Sequence, residues 1–244
     1  MAAPGIYGKH PGFGDFISAD LPELADRELV PWMTGLLAET RKGLGEDWEP
    51  VWDVALPLRF WIGGAIWGGP HLKGVARPSR DRVGRRFPLI AVAETADAPP
   101  VQHPDQDFYQ VTEAALAGEV TSASALREQL AAHLGDATGA VDVAPAATFW
   151  AANPALDVAD LLGQIEATDR QRAAAARSYW WTGATEGRAS AVLACDGLPR
   201  AGELAWLLAG VPAEARVGTE TPLQIPPAEP RLMANSEDRN AGRQ

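Results

Sequence analysis

Cysteine is almost absent from this chain: Cys195 is the only one in 244 residues. It cannot form an internal disulfide, and its place in the apolar run AVLAC reads as a core position. No uninterrupted apolar run approaches the roughly 18 residues of a membrane span. The opening MAAPGIYGKHP has neither the charged start nor the apolar centre of a secretory signal. These absences lead us to expect a cytoplasmic protein without membrane insertion. Basic residues are also scarce: 21 Lys and Arg stand against 32 Asp and Glu, a net charge of −11. That balance opposes attraction to nucleic acid, and no recognised nucleic-acid module occurs. The four histidines, at 10, 71, 103 and 133, form no HxH, HxxxH or HExxH pair. A metal site would have to be assembled from distant segments, with Asp15 and Asp81 as its carboxylates. No GxSxG elbow exists, and Ser79 has no histidine placed beside it in sequence. Glu46–Asp47 and Asp105–Asp107 read as helix starts or exposed loops rather than acid–base pairs. The expectation is a protein without cofactor, metal or catalytic centre.

The hydrophobic fraction is 46%, with nine tryptophans, enough for a substantial core. GIYG (5–8) reads as a short strand, and Leu21 to about Leu44 as helical. Pro31 either opens the main helix or kinks a longer one, and Gly43 and Gly45 mark its end. LRFWIGG, HLKGVARPS and LIAVAE read as strands, the last two as an antiparallel pair joined by an arginine-rich loop. In the second half, FYQVTEAALAG, SASALREQLAAHL, VADLLGQIEA and GLPRAGELAWLLAG read as helices. The first is expected to bury Phe108, Val111 and Ala115, and the second Leu126, Leu130 and Leu134. SYWWTG and SAVLAC read as strands around an EGR turn. The strand connections between 60 and 94 are too short for parallel crossovers. The expected fold class is therefore α/β of the α+β kind: a mixed, mainly antiparallel sheet flanked by helices. One globular domain is expected over 1–218, followed by a proline-rich, disordered tail over 219–244.

Two segments hold most of the chain's unusual chemistry. GKHPGFGDF (8–16) is dense in glycine, as a phosphate cradle would be. A P-loop, however, needs Ser or Thr after its lysine, where this chain has His10, and Pro11 removes a backbone donor. The second segment gathers Lys73, Arg77, Arg80, Arg82, Arg85 and Arg86, with Asp81 as its one acid. Such arginines either bind carboxylates or phosphates, or lie on a solvated loop. Lys9, Asp15, Arg80, Asp81, Arg82 and Arg85 are the candidate site residues. They either contact a partner, or clamp the two loops together through pairing of Arg85 and Asp81 with Asp15 and Lys9.

The opening GKHPGFGDF resembles the G-K-x-P-x-x-G-D-F start of type VI secretion-associated TagF (ImpM) proteins. GVARPSRDRVGRRFPL (74–89) is similar to the same family's G-V-x-x-P-S-x-D-x-V-G-R-x-F-P-L signature, matching at Gly74, Val75, Pro78, Ser79, Asp81, Val83, Gly84, Arg85, Phe87, Pro88 and Leu89. The likeness is densest over 5–95. It implies a longin-like sheet and a cytoplasmic, post-translational repressor of type VI secretion assembly or firing. It also implies an FHA-domain scaffold protein of the same system as partner. The alternative reading is a small phosphate- or nucleotide-binding enzyme that uses the arginine-rich loop 77–86.

Overall fold

In the computed structural model, residues 4–133, 149–169 and 176–213 are described. The expected tail at 219–244 and Leu134 lie outside them.

Strand patterning sets the architecture. β1 (Gly5–Gly8), β2 (Ile17–Ala19), β3 (Leu58–Ile62), β4 (His71–Arg77) and β5 (Leu89–Thr95) come from the first half. β6 (Phe149–Asn153), β7 (Arg177–Thr182), β8 (Arg188–Asp196) and β9 (Val211–Pro212) come from the second. They form one open sheet ordered β2-β1-β5-β4-β3-β7-β8-β6, with β9 on the end of β8, and every pair of strands is antiparallel. The central strands β3, β7 and β8 are buried almost throughout, so they read as continuous apolar runs rather than alternating ones. A sheet covered on both faces requires this. Alternate residues nevertheless serve different cores, because successive side chains point to opposite faces. Phe60, Ile62, Ile90, Trp180 and Leu193 face one core; Trp61, Val75, Ala91, Trp181 and Val192 face the other.

Among the described residues, six α-helices supply the outer layers. α1 (Val30–Leu44), α2 (Trp48–Val54) and α6 (Ala201–Ala209) cover the first face. α3 (Asp107–Ala117), α4 (Ala123–Ala131) and α5 (Val158–Asp169) cover the second. The result is a helix–sheet–helix sandwich of α+β class. Pro31 stands in the first turn of α1, directly after a π-helical turn at Ala25–Leu29. Both alternatives are thus partly met: proline opens α1, yet helical backbone continues upstream through a widened turn. Gly45 ends α1 with φ +56°, donating its N–H to the Arg41 carbonyl.

Several elements were not read from the sequence, and one departs from its expected packing. WEPVWDV forms helix α2, with Pro50 tolerated in its first turn, where its missing N–H has no helical partner to lose. Strand β2 is too short to show a period, and β6 and β9 were not anticipated. α3 is rotated from its expected face: Tyr109, Thr112, Ala115 and Leu116 are buried, and Phe108 and Val111 are only half-buried. Phe108 instead lies beneath the Lys73 ammonium, 4.4 Å from its ring centroid, where cation–π attraction suits an intermediate depth. Lys73 itself pairs with Asp97.

Candidate functional site: two interlocked loops

The sheet order explains why residues seventy positions apart meet. β1 pairs with β5 so that Gly8 stands opposite Leu89. The segment leaving β1 (9–16) and the segment entering β5 (78–88) therefore emerge side by side at one end of the sheet. Gly8 is required at this junction. Its φ is +138°, and a Cβ there would lie 2.0 Å from the Pro88 carbonyl oxygen.

Asp81 is the centre of the contact. Its Oδ2 accepts from Lys9 Nζ at 2.8 Å and from Arg85 Nε at 2.6 Å. Its Oδ1 accepts the backbone N–H groups of Val83 (3.1 Å) and Arg85 (2.9 Å), closing the DRVGR turn on itself. The Lys9 side chain is 7% exposed and that of Asp81 fully buried. Burial opposes ionisation of Asp81, but the hydrogen bonds from Lys9 and Arg85 outweigh it and hold the carboxyl well below its ordinary 3.8. A folded value below the unfolded one stabilises the native state above about pH 4, and that contribution is lost on acidification below it. Lys9 also lies 4.9 Å from the centroid of the Phe16 ring, which stacks on Tyr7 and meets Phe87 edge-on. The Phe16 ring, held by the other two, thereby helps to cover the ammonium.

Hydrogen bonds to the backbone of the first loop complete the junction. Arg82 N donates to the Phe13 carbonyl (2.8 Å), and Arg85 Nη2 donates to the Gly14 carbonyl (2.8 Å). The second loop is tied in turn to α2. Arg86 forks onto Asp53 (3.0 and 2.7 Å) and reaches Glu49 (2.8 Å), and Trp52 Nε1 donates to the Ser79 carbonyl (2.9 Å).

The six candidate residues thus separate into groups. Lys9, Asp81 and Arg85 meet in one buried-to-rim ion cluster. Asp15 stands at its edge: it is 84% exposed, 4.0 Å from Arg85, and its Oδ1 caps the Phe16 N–H. An exposed pair at that distance contributes little. The side chains of Arg80 and Arg82 are exposed and stand outside the cluster. The sequence reading missed two apolar members of this end, Val83 (70% exposed) at the loop tip and Phe16 (41% exposed). It also missed the tie to α2. Phenylalanine in both signatures, at 13, 16 and 87, was the available signal for an aromatic contact between them.

The arginine-rich segment is not a single patch. Lys73 is engaged by Asp97, Arg85 by Asp81, and Arg86 by Asp53 and Glu49, while Arg77 Nη1 donates to the Leu116 carbonyl at the end of α3 (2.7 Å). Among the described residues, no group of three His, Cys, Asp or Glu side chains could hold a metal ion. No described helix is long and apolar enough to cross a membrane.

Fold and site together define an antiparallel helix–sheet–helix sandwich with two interlocked loops at one end of its sheet. The family model of the TagF N-terminal domain, type VI secretion system-associated, matches residues 5–135, which include both loops. That is more than half of the chain, and the chain belongs to this family of type VI secretion-associated proteins. No curated protein matches it. Among solved structures, the chain is similar to PA0076 from Pseudomonas aeruginosa PAO1, solved at 2.05 Å. The identity is 23%, the TM-score 0.63, and the match covers 90% of this chain and 98% of the other, a likeness of fold.

Proposed function

We propose that this chain is a cytoplasmic, post-translational repressor of type VI secretion assembly or firing. It acts by binding an FHA-domain scaffold protein of the same system, without a catalytic centre of its own. Family membership and the paired signatures support the reading. The observation that carries it is the division within the loops. Their central charges are turned on one another, whereas Val83, Phe16, Arg82 and Asp15 stand on a rim held in place from beneath. A preorganised apolar and charged rim loses little freedom on docking, which favours protein–protein contact.

Deleting the gene is expected to raise type VI secretion, measured as secreted substrate in culture supernatant. Unchanged secretion in the deletion strain would remove the regulatory assignment. The tagged chain is expected to co-purify the FHA-domain scaffold from extract of its own cells, and recovery without that scaffold counts against the partner.

A further inference from the structure

On the outer side of the same loops lies a cleft of about 950 Å³, between the start of the first loop, the segment 77–80, α2 and the C-terminal end of α3. It contains two acids, Asp53 and Glu113, each paired with an arginine, although Arg86 is shared between Asp53 and Glu49. Arg86 forks onto Asp53, and Arg59 forks onto Glu113 with two hydrogen bonds of 2.7 Å. The donors lining the cleft are largely uncommitted. Arg77 uses Nη1 on the Leu116 carbonyl, which also quiets the negative end of α3, and its remaining N–H groups are unused among the described residues. Arg80 has no side-chain hydrogen bond or ion pair among the described residues, although its charge is close enough to help lower the pKa of Asp53.

Ser79 gives its carbonyl to Trp52 and to the Phe87 N–H, leaving its hydroxyl unengaged. His10 Nδ1 accepts from Gly12 N (3.1 Å), so in the neutral ring the proton is on Nε2, the free donor. Burial, then the charge of Arg77, lowers the His10 pKa and keeps the ring neutral at pH 7. Pro11, Pro57, Pro78 and Trp52 form stiff apolar walls around these groups. Apolar walls with a few convergent polar groups are the usual anatomy of a ligand cleft. Two guanidinium groups, a hydroxyl and an imidazole N–H together suit a group with several charged oxygens rather than a single carboxylate.

We propose that this cleft binds a phosphomonoester, with Arg77, Arg80, Ser79 and His10 on the phosphoryl oxygens and the organic body against Trp52 and the prolines. The phosphoryl group is presented either by a protein side chain or by a small organic phosphate. This inference does not rest on the repressor reading, because the purified chain alone tests it. With a net charge of −11, the chain as a whole repels anions, so saturable binding would be local.

Isothermal titration of the full chain with phenyl phosphate, a phosphothreonine peptide, its unphosphorylated counterpart, and inorganic sulfate tests the proposal. Saturable binding of at least one phosphomonoester is expected, with none of the unphosphorylated peptide or sulfate. Tighter binding of the phosphopeptide identifies a protein side chain as the source; tighter binding of phenyl phosphate identifies a small organic phosphate. Arg80→Ala should weaken binding at least tenfold and Ser79→Ala severalfold, with thermal unfolding of both variants matching wild type. The proposal is overturned if neither phosphomonoester binds, if sulfate or the unphosphorylated peptide binds equally, or if a folded Arg80→Ala variant binds as wild type does.

Discussion

Lys9→Met is expected to unfold on the order of 10 °C below the wild-type protein in a calorimetric scan, the size of effect that breaking a buried ion pair produces in a domain of this length. The reason is what the substitution leaves behind. Asp81 is fully buried, and Lys9 is the nearly buried cation that balances it, at 2.8 Å. Without the lysine, the carboxylate keeps Arg85 and two backbone N–H groups, so the DRVGR turn survives. The charge nevertheless stays fully buried with less compensation. Adding Asp81→Asn should recover part of the loss, because an amide oxygen still accepts from Val83 N and Arg85 N, and the charge that remains, on Arg85, is more than half exposed. If the double variant unfolds at the sum of the two single deficits, Lys9 and Asp81 are not coupled, and the clamp is wrong.

Gly8→Ala should be at least as damaging, lowering the midpoint by roughly 10 °C or preventing soluble expression. Two separate effects add here. The backbone at φ +138° is one that a side chain disfavours, and the new methyl would lie 2.0 Å from Pro88 O, a backbone atom of the neighbouring strand entry. Relief would need β1 to move away from β5, which separates the two loops. Gly84→Ala is the control for strain alone. Its φ is +89° and its Cβ would meet nothing within 4 Å. A shift of only a few degrees is expected there, about 1 kcal/mol of strain. Equal damage at both positions would mean that conformation, not the approach of Pro88, explains the need for Gly8.

The sequence made the strands of the sheet's centre legible because their apolar runs are long, bounded by glycine and proline, and rich in aromatic residues. LRFWI, HLKGVAR, LIAVAE and SYWWT all fall on strands. Short connections between three of them made antiparallel pairing readable as well. Less could be read where local pattern is weak. ISA at 17–19 is a strand only because β1 offers it a hydrogen-bonding edge, and WEPVWDV is a helix in spite of its proline. The face of α3 was misjudged because Phe108 looks like a core residue from composition, whereas a lysine cation holds it at intermediate depth.

The site shows the same division. Opposite charges in the two glycine-rich segments raised the question of pairing between them, but sequence could not say which charges were buried. That depends on β1 lying beside β5, a long-range pairing no local feature encodes. The crowding of arginines at 77–86 left open whether they bind carboxylates or phosphates or lie on a solvated loop. In three dimensions the sheet end divides them: Arg85 turns to Asp81, Arg86 to α2, Arg77 to α3, and Arg82 to the rim.

The central claim is that the buried part of this paired signature holds a rim which the partner reads. The most direct measurement is the affinity of the purified FHA-domain scaffold for the Arg82→Glu variant beside wild type, by isothermal titration. The Arg82 side chain is exposed and lies against Gly14, while the hydrogen bond across the junction comes from its backbone N–H. The account predicts at least a tenfold loss of affinity with a thermal midpoint within about 2 °C of wild type. Unchanged affinity in a folded variant, or loss of binding only through unfolding, would contradict it.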